Sequence, residues 1–263
     1  MLGKLLKHEF RYNLKKFIPL YIAYAAVAAV MRILMLVMGT DGLFGESTNI
    51  QNESLEFALS MSLMLLIIAF IFGAFGLSLY AIFGNVSRFH KNLFTDEGYL
   101  MNTLPVPSYS HILCKLISGL VWYAITSIVV VAGCFVAFVS SDDFAFFPSE
   151  LISELLEGNI ADTIMTYVLS IITYCAFLLL CYMGEGISSM TGGKKGISIL
   201  IVIGCIILNS IVTTIITTVV LSFVDSDTSY TVYNGIKLLY YSIVSVGLFF
   251  LTNLIIKEHL NLE

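Results

Sequence analysis

LEFALSMSLMLLIIAFIFGAFGLSLYAIF, residues 55 to 83, carries one charged side chain, Glu56, in 29 positions. A run this long and this apolar suits a helix crossing a hydrocarbon layer about 30 Å thick. As a helix it would reach about 43 Å, so it must tilt or project beyond the layer. Lipid cannot hydrogen-bond a bare peptide group, so a spanning segment must satisfy its own backbone, and a helix does so. Ala69, Gly73, Gly76 and Ser78 place small residues along the run, which lets a second helix come close.

Outward from this run the pattern repeats. Further apolar stretches fall at 17–38, 112–139, 163–183, 197–223 and 234–256, giving six spans with the run at 55–83. Hydrophobic residues make up 58% of the 263 positions and charged residues 12%. Mean hydropathy is +0.93. A soluble domain would carry roughly twice that share of charge. The fold class is therefore an all-α integral membrane protein in one transmembrane domain, residues 1–263. The net charge of -5 says little about a soluble partner, and no nucleic-acid partner is expected.

Between the second and third runs lies the longest polar segment of mixed charge, Asn85 to His111. Its middle reads Thr95-Asp96-Glu97-Gly98-Tyr99-Leu100 and its end Thr103-Leu104-Pro105-Val106-Pro107. It reads as a structured loop on the inner face of a membrane. Residues 1–16 read as an amphipathic helix lying in the interface. Leu2, Leu5, Leu6, Phe10, Leu14 and Phe17 recur at helical spacing, with Lys4, Lys7, His8, Arg11 and Lys15 opposite. Such a helix puts its apolar face in lipid and its basic face on anionic headgroups. A plain extension of the first span is the competing reading. Pro19 would start or kink that span. The basic, apolar N-terminus lacks a small-residue cleavage site and is read as retained.

The remaining connections are short or acidic. Residues 39–54 and 140–162 hold acids and no basic residue, and Leu151, Ile152, Leu155 and Leu156 suggest a short surface helix. Residues 184–196 read as an inner loop and 224–233 as an outer one. Arg32 sits within the first span, where it either snorkels outward or touches a substrate. Asn209, Ser210, Thr213, Thr214, Thr217, Thr218 and Ser222 run down the fifth span. Such hydroxyl-bearing faces pack against other helices or wet a pathway.

Charge placement orients the chain. Six spans put both termini on one side. Eleven of the 13 basic residues fall there, leaving Arg32 and Lys237. Twelve of the 18 acids fall on the other side. The positive-inside rule then makes both termini cytoplasmic.

Motifs for catalysis are weak. Thr191-Gly192-Gly193-Lys194-Lys195-Gly196 looks superficially like a phosphate loop. Position 188 is Ser where Gly is needed, and Lys195 stands where Ser or Thr should follow the lysine. The five cysteines lie in or beside apolar runs without metal-ligand spacing. The four histidines fall near the inner interface and read as solvated surface.

The chain resembles ABC-2-type transporter permeases, the membrane subunits of bacterial ABC exporters. The likeness rests on Met1-Leu2-Gly3-Lys4-Leu5-Leu6-Lys7-His8-Glu9-Phe10, on Thr95 to Pro105 before a long third span, and on the six-span layout. The inner segment is similar to that of small Gram-positive members. The resemblance implies a cytoplasmic coupling helix between spans 2 and 3, within the loop 85–111. Arg88, Thr95, Asp96, Glu97, Gly98, Tyr99, Leu100, Leu104 and Pro105 would form that coupling site. Asp96 or Thr95 could cap the helix, and Tyr99, Leu100 and Leu104 could be docking knobs. The interface anchors would be Lys4, Lys7, Phe10, Arg11 and Lys15, and a candidate pathway would include Asn209, Thr213 and Thr217.

The resemblance also implies partners. A cytoplasmic ABC ATPase subunit would bind the ATP and Mg, leaving this chain without cofactor or enzymatic activity of its own. A second permease chain, identical or not, would complete a dimer in the bacterial plasma membrane. The expected cargo is an amphipathic or antimicrobial peptide or a similar amphiphile, a route to antibiotic resistance. The alternative is a membrane-embedded immunity or sensor protein that binds a peptide without moving it.

Overall fold

The computed structural model describes residues 2–39, 53–95, 108–138, 160–191, 195–223 and 226–259. They form six helices: α1 Leu2–Met38, α2 Glu53–Phe94, α3 Ser108–Phe138, α4 Ile160–Met190, α5 Lys195–Phe223 and α6 Ser226–His259. All six are long and apolar enough to cross a membrane. The protein is an all-α, multi-pass membrane protein. The suggested surface helix at 151–156 lies outside the described residues.

Several boundaries differ from the sequence reading. Residues 1–16 and 17–38 are not two elements; α1 runs through Pro19 without a break. Its buried positions explain why. Glu9, Asn13, Phe17, Tyr24, Ala28, Met31, Met35 and Met38 are buried, and with half-buried Tyr21 the stripe recurs every three or four residues. One continuous buried stripe outweighs the single backbone bond that proline removes. Helix α2 has 42 residues and is about 63 Å long, so Asn85 to Phe94 are helix and not loop. Helix α4 likewise runs through Gly184-Glu185-Gly186 to Met190. Helix α6 starts at Ser226, inside the expected outer loop.

The chain divides into two compact units. The first to describe contains residues 7–81 and 121–154. Its centre is aromatic. Phe17 stacks on Trp122 with ring centroids 4.8 Å apart and meets Tyr80 edge-on at 5.3 Å. One level further, Tyr24 stacks on Phe70 at 4.8 Å. Tyr21 and Thr126 share a 2.7 Å hydrogen bond across a separation of 105 residues. Rising numbers in α1 thus meet falling numbers in α2 and rising numbers in α3. The α1–α2 pair is antiparallel and the α1–α3 pair parallel. Two glycines make room for Tyr24. A Cβ on Gly73 would stand 3.3 Å from its ring, and one on Gly133 only 2.5 Å. The small-residue stripe on α2 therefore serves packing at Gly73, while a Cβ on Gly76 would meet nothing within 4 Å.

The other unit contains residues 1–6, 82–120 and 155–263. Its core joins the end of α2 and the start of α3 to α4 and α6, with Phe89, Leu93, Ile112, Leu178, Tyr182 and Ile256 buried together. Phe89 stacks on Tyr182 at 4.0 Å. Helices α4 and α6 lie parallel. Asp162 meets Thr231 at one end, 69 residues apart, and a Cβ on Gly186 would touch Ile255 at the other. Helix α5 runs antiparallel to both, since Ser198 meets Glu185 while Thr217 meets Tyr233.

Candidate functional site

Each helix has an inner end, the one nearest the expected cytoplasmic face. The inner ends of α2 and α3 are unusual for membrane helices because they bury polar groups. Asn85, Arg88 and Asn92 on α2 are buried, and so are Ser110, His111, Lys115 and Ser118 on α3. Spacings of three and four residues put Asn85, Arg88 and Asn92 on one face. Arg88, expected in a coupling loop, is a helix residue with 9% exposure. A buried guanidinium persists only where partners satisfy it, so Arg88 is built into the bundle. Thr95 follows the last residue of α2. Its Oγ1 donates to the Lys91 carbonyl at the end of α2; the helix that it or Asp96 was expected to cap lies outside the described residues. Asp96, Glu97, Gly98, Tyr99, Leu100, Leu104 and Pro105 lie outside the described residues.

Of the expected interface anchors, Lys7, Arg11 and Lys15 are exposed on α1. Phe10 is half-buried, its ring 6.2 Å from Trp122. The side chain of Lys4 is outside the described set. The buried face of this segment includes polar residues. Glu9 and Asn13 are buried, while Leu14 is 47% exposed. In a membrane protein polar side chains can face helices and leucines can face lipid, the reverse of the soluble pattern.

A cavity of about 510 Å³ lies among α2, α4 and α5. Isoleucines, Val202, Phe83 and Phe177 line most of it, and its polar end holds His90, Glu185 and Ser198. Ser198 donates to Glu185 Oε1 at 2.9 Å. His90 Nδ1 stands 2.9 Å from Glu185 Oε2, at ion-pair range but off the line of a hydrogen bond. His90 is 22% exposed and Glu185 17%. Local sequence explains the approach. A Cβ on Gly184 would stand 2.9 Å from Val202 Cγ2, and one on Gly186 2.8 Å from Ile255 Cγ2. The two glycines flanking Glu185 let α4 draw close to α5 on one side and α6 on the other. This cluster was missed by the sequence reading, which took Glu185 for loop and the histidines for surface. His111 departs from that reading too, since it is buried. The signal available was an acid between two glycines beside an apolar run.

Asn209, Thr213 and Thr217, the candidate pathway, share a half-buried face of α5. Asn209 Nδ2 donates to Tyr241 Oη at 3.2 Å, and Tyr240 Oη donates to Asn209 Oδ1 at 3.0 Å. Thr213 donates to the Asn209 carbonyl, and Thr217 Oγ1 lies 3.2 Å from Tyr233 Oη. The three tyrosine contacts join α5 to α6. A second cavity of about 360 Å³ borders Asn209, Tyr240 and Tyr241. The neighbouring Ser210, Thr214, Thr218 and Ser222 are exposed, and Thr214, Thr218 and Ser222 each donate to a carbonyl one turn back.

The chain matches no family model, no curated protein and no solved structure.

Proposed function

We propose that this chain is the permease subunit of an ATP-driven exporter of the ABC-2 type. It would sit in a bacterial plasma membrane with both termini in the cytoplasm. A separate ATPase would bind ATP and Mg beneath it, and a second permease chain would complete the pathway. The cargo would be an amphipathic peptide or a similar amphiphile leaving the cytoplasm or the inner leaflet.

The observation that supports this reading best is the construction of the α2 and α3 inner ends. Helix α2 stays helical to Phe94, and α3 begins again at Ser108. Both ends carry buried polar and charged side chains. Separating such groups from their partners costs about 3–5 kcal/mol where a charge is left unpaired. A force on residues 96–107 would therefore move two whole helices before it frayed their ends. The resemblance at Thr95 to Pro105 supplies the receiving segment, with Tyr99, Leu100 and Leu104 as docking knobs.

Affinity purification of the tagged chain from its host, in mild detergent, tests this. A cytoplasmic ATPase should come along in stoichiometric amount. Replacing Tyr99 and Leu104 together with Ala should release it while the permease still inserts. Recovery of the chain alone, even after cross-linking, would favour a passive immunity or sensor protein.

A further inference from the structure

We propose that the chamber among α2, α4 and α5 binds a single-chain amphiphile with an amine or ammonium head, taken by Glu185. This rests on the export reading only in treating the ligand as cargo.

Three features of the chamber point to that chemistry. The first is its charge. Among the described residues the lining has one carboxylate, Glu185, and neither Lys nor Arg. A carboxylate has about four acceptor positions. Ser198 takes one on Oε1, and His90 approaches Oε2 without a linear hydrogen bond. Oε2 thus keeps capacity for an N–H donor, and an anionic head would meet no lysine or arginine there.

The second is its length. From Ser198 to Ile206 the α5 wall extends eight residues, or about 12 Å. Half of a 30 Å hydrocarbon core is about 15 Å. Ser198 and Glu185 lie within a few residues of the connection between α4 and α5, which the charge pattern puts at the cytoplasmic face. The polar end then sits near the inner headgroups, and the apolar wall follows one leaflet's depth. A structural ion pair alone would need no such space.

The third is access. Phe83, Ile199 and Ile203 border the chamber, and each is more than half exposed. The wall on that side is open to lipid within this unit, so a chain can enter sideways from the inner leaflet while its head stays at the interface. Ligand pockets commonly combine a mostly apolar body of 300–1,000 Å³ with a few polar groups that fix orientation.

The test uses the full permease chain by itself in phosphatidylcholine nanodiscs. The probe is dodecylamine carrying a photoreactive diazirine in its chain, with a matched probe ending in a carboxylate. Cross-linked peptides are identified by mass spectrometry. The amine probe should label segments around Phe83 and Val202, and the carboxylate probe should label them far less. Glu185→Gln keeps the shape and removes the charge. Labelling should fall about tenfold, the order for losing one charge-assisted contact. Val202→Trp, which fills the chamber, should also abolish labelling there. If either variant fails to fold, competition on the unaltered chain decides: unlabelled dodecylamine should displace the probe and dodecanol should not. Equal labelling by both heads, or equal competition by amine and alcohol, would overturn the proposal. Because no ATPase is present, a negative result here leaves the coupling proposal intact, and loss of ATPase association leaves this one intact.

Discussion

Replacing Gly133 with Ala adds one methyl group where Tyr24 already sits. The new Cβ would lie 2.5 Å from ring carbon Cε1, 3.2 Å from Cζ and 3.3 Å from Cδ1. Carbon atoms rest at about 3.5–4.0 Å, so the overlap at Cε1 is about 1 Å. The ring cannot swing clear. It is 4% exposed, stacked on Phe70, and close to Gly73 on α2. Helix α3 must therefore shift from α1, or Tyr24 must leave its rotamer. Overpacking of this kind costs about 1–3 kcal/mol, and a rigid ring puts it near the upper end. Alanine recovers about 1 kcal/mol of helix propensity over glycine. The net expectation is a loss of about 2 kcal/mol. Trp122, the chain's one tryptophan, belongs to the same unit and stacks on Phe17. Its fluorescence can report unfolding by denaturing detergent. The decisive comparison is the same change in a Tyr24→Ala background. There the clash is gone, and Gly133→Ala should be neutral or stabilising by up to about 1 kcal/mol. Equal destabilisation in both backgrounds, or a gain in the unaltered chain, would refute the reasoning.

Asn209→Leu should lower stability by about 1 kcal/mol, because bonds between membrane helices average about 0.6 and reach about 1.7. Detergent-denaturation curves measure it; an unchanged midpoint with lost export would point instead to substrate contact by Asn209. Orientation can be checked in cells with an impermeant maleimide on a chain whose five cysteines are replaced. Ser47→Cys should label from outside, and Lys194→Cys only after the cells are opened; the reverse pattern would invert the topology. Ser198→Ala removes the donor to Glu185 Oε1 and should weaken amine-probe labelling less than Glu185→Gln does, because the charge remains.

The membrane class and the six spans are legible from residues alone. Leu55 to Phe83 has no stable state in lipid except one that bonds its own backbone, so length and apolarity suffice. Charge placement gives an expected orientation on equally local grounds. Helix ends are less legible. Asn85 to Phe94 and Gly184 to Met190 look like loop because they are polar or glycine-containing. They are helical because packing inside the protein, and not contact with lipid, satisfies them. Phe89 stacks on Tyr182, and the glycines beside Glu185 meet α5 and α6. Likewise nothing in the sequence of α1 marks Glu9 and Asn13 as its buried positions.

By itself, then, the sequence determined what the solvent demands: six apolar helices, an all-α fold and an uneven distribution of charge. Each of these follows from the transfer of single residues or single segments between water and lipid. Tertiary structure alone decided which polar groups meet. His90, Glu185 and Ser198 come from three helices, and Asn209 finds Tyr240 and Tyr241 more than 30 residues away. Lipid tails are as apolar as leucine, so the side chains that face a neighbour are not sorted by hydrophobicity. Close packing at small residues and the pairing of buried polar atoms sort them, and both depend on helices distant in the chain.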